Sequence, residues 1–242
     1  MTRAFKNFKW NFRDILGGNQ SLISLLSYRR SWEHVAVRRD SELCIEGFPR
    51  SANAYPVAAM RVANQGLGHI ARHSHLAGQV QKAVAFGVPT IVILRAPIDA
   101  IVSLKLREPL LELETIMESY LRFHHGIKEV IPGILLVRFE TVTSDYTSII
   151  DAVNEKWELK LDTIADHSEW HSLATEEVHR MAIDYEERQS LDPSTREMRI
   201  AVPNESRKGL KESIILELSQ KKHEHLLSET VSIYDSLLTH AS

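Results

Sequence analysis

Thr90-Ile91-Val92-Ile93-Leu94 carries no polar side chain beyond the Thr90 hydroxyl, and its first four residues are all β-branched. Gly87-Val88-Pro89 interrupts any helix ahead of it, and Pro97 follows three residues after its end. A strand with one wet face alternates apolar and polar residues. An unbroken apolar run between turn residues belongs to a strand covered on both sides, as in a parallel sheet lined with helices. Two further runs bracket it, at about 42–46 and 134–139. Between and beyond them, helical spacing predicts helices over about 54–64, 79–86, 98–106, 111–130 and 145–156. Strands separated by helices predict one α/β domain with a central parallel sheet, helices on both faces and P-loop-like phosphate-binding turns.

The domain is read as residues 42–242, preceded by an N-terminal amphipathic segment and basic lead-in over 1–41. Residues 159–203 mix their patterning, are rich in Asp, Glu and His, and predict an irregular or only locally helical acceptor-side region. Residues 211–238 predict one long amphipathic helix. The chain has 242 residues, 43% of them hydrophobic and 25% charged, the balance of an ordinary single core. A net charge of −3 gives no reason to invoke a nucleic-acid partner. The single cysteine, Cys44, sits in an apolar run without an intrachain partner, which suits a reducing compartment and predicts a cytoplasmic protein. No stretch reaches the 18 or so apolar residues of a membrane span. Residues 1–16 nevertheless set Phe5, Phe8, Phe12 and Ile15 at helical spacing among Arg3, Lys6, Lys9 and Arg13. Such a helix either makes peripheral contact with an anionic membrane or docks its apolar stripe on the domain, the usual arrangement, and docking is the expectation here.

The chemistry concentrates in loops. Glu46-Gly47-Phe48-Pro49-Arg50-Ser51-Ala52-Asn53 joins a buried strand to a helix whose N-terminus carries partial positive charge, which makes an anion cradle. It lacks the second glycine and the Lys-[Ser/Thr] pair of a Walker A loop. Arg95 stands at the end of the next buried strand, where open α/β sheets bind ligands, and Ser103 follows two turns into the next helix. Arg95 either meets an anion there or pairs with Asp99. Arg207-Lys208-Gly209 sets two cations at a helix start, against the helix dipole, a conflict that an anionic ligand resolves.

Taken in order, these three motifs resemble those of the sulfotransferases that use 3'-phosphoadenosine-5'-phosphosulfate (PAPS). Gly47 to Asn53 is similar to their 5'-phosphosulfate loop, Arg95 to Ser103 to their 3'-phosphate motif, and Arg207-Lys208-Gly209 to their late signature. The resemblance implies transfer of a sulfuryl group from PAPS to an acceptor hydroxyl, with release of PAP and no metal. It assigns donor binding to Gly47, Pro49, Arg50, Ser51, Ala52, Asn53, Ala54, Tyr55, Arg95, Ser103, Arg207, Lys208 and Gly209. Ala54 and Tyr55 stand where many members have Thr and Trp, so a hydroxyl contact is missing while Tyr55 can still stack on adenine.

Arg72-His73-Ser74-His75-Leu76 is similar to the family's Lys-Thr-His-Leu segment, which implies His75 as the base, with Arg50 and His73 meeting the developing charge. An imidazole titrating between pH 6 and 7 suits that task. The residues alone leave three readings for His75: a base, a structural histidine or one half of a metal site. The acceptor, a carbohydrate or other small alcohol, is set by about 105–122 and 159–202, where His124 is a candidate lining residue. A nucleotide-dependent kinase on a related sheet is the enzymatic alternative, and a non-catalytic PAP-binding protein the other.

Overall fold

The computed structural model describes residues 2–23, 35–189 and 208–242. Strands β1 (Leu43–Gly47), β2 (Ile70–Arg72), β3 (Thr90–Leu94) and β4 (Leu135–Arg138) pair in the order β2-β1-β3-β4, all parallel. β1 and β3 are buried at every position. The side chains of β3 divide between two cores, because successive residues of a strand point to opposite faces. Val92 and Leu94 enter one core, and Ile91 and Ile93 enter the other.

The first core is filled from α3 (Ala77–Ala85), α4 (Pro97–Arg107) and α5 (Leu113–Lys128), with Ile101, Met117 and Tyr120 fully buried. The second is filled from α2 (Ala54–Ala63), the short α6 (Phe139–Ser144), α7 (Tyr146–Trp157) and α8 (His167–Gln189). Helices therefore cover both faces of a single α/β domain. Pro97 in the first turn of α4, Asp99 behind it and Lys105 and Arg107 in its last turn all agree with the helix dipole. The edges of the sheet are covered by backbone. Arg72 N–H on β2 donates to the Val35 carbonyl, and β4 exchanges two hydrogen bonds with Ser242.

Three expectations need correction. Residues 167–189 form one continuous helix, α8, anchored on α2 by buried Trp170 and Ala174, longer than the irregular or only locally helical region predicted. Its inner side carries buried Glu177 and Glu186 and its outer side exposed Leu173, Ile183 and Tyr185, so its periodicity is faint. The predicted helix over 211–238 is two: α9 (Lys208–Leu218) and α10 (Glu224–Leu238), separated by an extended Gln220 and a 3-10 turn, Lys221–His223. The break lets α9 pack on α4 while α10 packs on α5.

The third correction concerns α1 (Arg3–Gly17), which forms as predicted but docks by its other face. Asn7, Asp14 and Gly17 are buried, whereas Phe5, Phe8, Phe12 and Ile15 face outward. The buried polar atoms are satisfied by α5 and the loop before it. Asn7 Nδ2 donates to the Leu110 carbonyl at 3.2 Å, its Oδ1 accepts from Glu112 N–H at 2.9 Å, and Asp14 accepts from the Ser119 hydroxyl.

Candidate functional site

The sheet order reverses between β1 and β3, since the chain leaves β1 toward β2 on one side and reaches β3 on the other. Open α/β sheets bind ligands beyond the carboxyl ends of strands at such a point. Two of the predicted loops stand there, the one after β1 and the one after β3.

The β1 loop is locked by contacts that only its own residues permit. A Cβ on Gly47 would lie 2.5 Å from Asn53 Oδ1 and 2.9 Å from the Ile93 carbonyl, so no larger residue fits. Asn53 does not cap α2 with its side chain; its Nδ2 reaches back to the Phe48 carbonyl at 3.0 Å and closes the loop. Arg50 and Ala52 have positive φ, 73° and 58°. A positive-φ residue followed by Asn53 in the helical region turns successive N–H groups into one concavity, the geometry of an anion nest. Beside it, Ser51 Oγ and Asn53 Oδ1 are buried with no hydrogen-bond partner among the described residues. Pro49 and Ala54 frame the loop. Tyr55 lies one residue into α2, with its ring edge-on to Tyr146 and its hydroxyl 3.1 Å from His171 Nδ1 on α8.

The β3 loop meets the β1 loop directly. Arg50 Nε donates to Ser103 Oγ at 3.0 Å, and the Arg95 guanidinium donates to the Arg50 carbonyl. Arg95 lies over the Phe139 ring at 4.2 Å, and its backbone carbonyl is held by the Tyr120 hydroxyl at 2.8 Å. Its Nε is buried without a partner, and Arg95 and Asp99 form no ion pair among the described residues. Two guanidinium groups and a hydroxyl thus share one sheltered corner. Burial lowers the Arg95 pKa, with Asp99 and Glu140 opposing.

His75 belongs to the same corner. Its Nδ1 is 2.9 Å from the Gly47 carbonyl, which can only accept, so the neutral ring carries its proton on Nδ1 and leaves the Nε2 lone pair free. His73 and His75 both have positive φ, 57° and 56°. Of the five non-glycine residues with positive φ among those described, four stand in these two loops. Backbone strain of this kind persists only where surrounding contacts enforce it. The enforcing group here is Glu46, the buried last-but-one residue of β1. It accepts Ser74 N–H at 2.8 Å on one oxygen and His75 N–H at 3.0 Å on the other, with Gln79 Nε2 at 2.7 Å. Burial raises the Glu46 pKa, and these hydrogen bonds offset part of the rise.

Glu46 opens the loop motif, yet the sequence reading gives it no role. The available signal was a carboxylate inside an otherwise apolar strand, which must be satisfied by something.

The titration expected for the histidines is corrected. Burial pushes His75 down to about 3, despite the opposing hydrogen bond to Gly47, and nearby arginines lower it further. Burial first, then His75 and Arg72, lower His73 well below the ordinary value. His73 is therefore neutral near pH 7, a hydrogen-bonding ring without charge. His124 is not a lining residue: it is fully buried among Phe48, Tyr120 and Phe123. Arg207 lies outside the described residues, as does the side chain of Lys208; Gly209 is the exposed second residue of α9. A hollow of about 680 Å³, open to solvent, is lined by Leu218, Lys221, Glu224 and Leu227 near the α9–α10 junction, and none of the predicted site residues lines it.

Fold and loops together define an open parallel α/β domain with a nest-shaped turn and a neutral histidine at the switch point of its sheet. Among solved structures, the mouse sulfotransferase SULT7A1 complexed with PAP is similar over 89% of this chain and 92% of its own, at 14% identity and a TM-score of 0.45. No protein-family model and no curated protein sequence matches the chain.

Proposed function

We propose that this protein is a sulfotransferase that takes PAPS as donor and releases PAP. The observation that carries the reading is the convergence of Arg50, Arg95, Ser103 and His75 on one corner, beside buried Ser51 Oγ and Arg95 Nε, which have no hydrogen-bond partner among the described residues. Orphaned buried polar atoms beside paired guanidinium groups fit a ligand that brings phosphate oxygens, since an unmet buried donor otherwise costs roughly 1–3 kcal/mol. The three motifs that resemble the family's donor loops support PAPS over other phosphorylated ligands, and the absence of a Lys-[Ser/Thr] pair disfavours a kinase.

When bound, the donor supplies an activated sulfuryl group on a phosphate leaving group. Arg95 and Ser103 would hold the 3'-phosphate, joined by Arg207, Lys208 and Gly209. Residues Gly47, Pro49, Ser51, Ala52, Asn53 and Ala54 would cradle the 5' side, with Tyr55 at the adenine end. Arg50, placed between the two loops, would meet the charge that grows on the departing oxygens. His75 would orient the acceptor hydroxyl and take its proton on Nε2, because Nδ1 is committed to Gly47. His73 would add a neutral hydrogen bond. The acceptor would be a carbohydrate or another small alcohol.

Melting temperature tests the donor first: PAP should raise it by several degrees and ATP with Mg²⁺ by much less. Equal stabilisation by the two would remove PAPS as the donor. Transfer of labelled sulfate from PAPS to a panel of hydroxyl acceptors then separates an enzyme from a protein that only binds PAP.

A further inference from the structure

The orientation of α1 calls for a partner that the described residues do not supply. Phe5, Phe8, Phe12 and Ile15 are 56%, 66%, 54% and 60% exposed, and they form one stripe along the helix. The Phe8 and Phe12 rings stack on each other at 6.1 Å. Meanwhile the face turned inward places polar groups against the domain, Asn7, Asp14 and the Trp10 indole N–H, which donates to Ser119 Oγ at 3.2 Å, while the Trp10 ring packs on the first core. Gly17 closes the contact, since a Cβ there would fall 2.4 Å from Leu76. The helix is thus fixed to the domain by hydrogen bonds, with its apolar side held outward.

Charge indicates what meets that side. Arg3, Lys6, Lys9 and Arg13 precede the first acid of the chain, Asp14, which is buried. Lys6 pairs with Glu108 and Arg3 lies 3.8 Å from Glu112, both on the domain side of the helix. On one border of the stripe stand exposed Lys9 and then Arg13, which pairs with Asp14 and covers Trp10. On the other border Arg122 reaches Asn11 at 2.8 Å and pairs with Glu118 at 2.7 Å. Aromatic side chains bordered by cations, with no acid of α1 itself on the outward face, match an anionic bilayer surface.

A second copy of the chain suits it less well. The four side chains offer about 400 Å² of exposed apolar surface, half of what a standard interface buries on each partner. A two-fold contact through this stripe would also bring each Lys9 toward its symmetry mate.

We propose that α1 is a preformed interfacial anchor that lays Phe5, Phe8, Phe12 and Ile15 into an anionic lipid surface. This is independent of the donor site, although the helix ends against Leu76, next to His75, so a docked bilayer would lie near that edge of the molecule.

The test is co-sedimentation of the 242-residue chain with phosphatidylcholine vesicles, with or without 30% phosphatidylserine, alongside sedimentation velocity without lipid. The wild type should bind the anionic vesicles at 0.1 M salt, at least tenfold more weakly the neutral ones, and lose most binding at 0.5 M salt. Phe8→Ser with Phe12→Ser should weaken binding more than tenfold while the melting temperature holds, because both rings are exposed. Lys9→Glu should lower binding to anionic vesicles alone. Absent binding, or binding that the Phe8/Phe12 variant retains, overturns the proposal. So does a wild type that dimerises without lipid, ignores vesicles and becomes monomeric in that variant.

Discussion

The sharpest consequence of the site geometry concerns the charge on His75. An ordinary histidine with a pKa near 6.5 is about 97% protonated at pH 5. His75 is held down to about 3, chiefly because its ring is withdrawn from water, and Arg13, Arg107 and Arg50 add repulsion. At that value only about 1% is protonated at pH 5, so its titration lies below pH 5 and outside the window of a normal histidine. The sign follows from burial and positive neighbours, both of which disfavour the imidazolium. The hydrogen bond to Gly47 opposes them and loses. NMR of the imidazole ring protons from pH 8 to 5, with the His75 signal assigned by its loss in His75→Asn, reads this without any need for turnover. The signal should stay at its neutral position across the window. A midpoint between 6 and 7 would refute the reasoning, because it would mean that the corner is hydrated or carries negative charge absent from the described residues. A ring held that low is a weak base at rest, so its role as base requires the bound donor's negative charge to raise its pKa toward the working pH. Replacement of His75 by Ala should then lower turnover by about 10² to 10⁴, the usual span for a positioned base.

Arg95→Ala should weaken PAP binding by about 2–4 kcal/mol in calorimetry, as for a charge-assisted phosphate contact in a sheltered site; unchanged affinity would leave Arg95 with only its structural bond to Arg50. Arg50→Ala should lower turnover far more than it weakens PAP binding, since PAP lacks the sulfuryl group, and wild-type turnover would place the chemistry elsewhere. Glu46→Gln replaces one of two acceptors of backbone N–H by a donor, so urea titration should show a loss of about 1–3 kcal/mol and turnover should fall as the His75 loop shifts. His124, donating from Nδ1 to the Tyr120 carbonyl at 2.7 Å, is pushed down to about 3 by burial. The unfolded chain takes up a proton as pH falls through about 6.5 and the folded chain does not, so stability is full above 6.5 and is lost toward 3. Between pH 7 and 5 that is about 2 kcal/mol from this residue, and the difference between the two pH values should shrink in His124→Gln.

How far the sequence carried depends on what each signal encodes. β3 was legible because burial on both faces leaves no polar residue in Thr90 to Leu94, and α4 because Pro97, Asp99 and its last-turn cations all mark ends. β2 was not, since three residues, Ile70-Ala71-Arg72, carry no pattern; only pairing with β1 makes them a strand. That strand delivers Ser74 and His75 to Glu46, so the histidine loop could be read as a motif but not as a geometry. The same limit hid the pKa of His75, because desolvation is a property of the neighbours that folding assembles.

Residues 3–17 show the converse, a signal read correctly and then placed the wrong way round. A helical stripe of Phe5, Phe8, Phe12 and Ile15 establishes that two faces differ, and nothing in the spacing says which one meets the protein. The usual inference assumes water outside, so apolar side chains must turn inward. That assumption fails when the domain offers groups that only polar side chains can satisfy. Here the Leu110 carbonyl, Glu112 N–H and the Ser119 hydroxyl await partners at the start and along the flank of α5, and Asn7, Trp10 and Asp14 supply them. Turning the helix over would bury Lys9 and leave those groups unmet. The hydrogen bonds therefore decide the orientation, and the exposed aromatic stripe is what remains for another surface to cover.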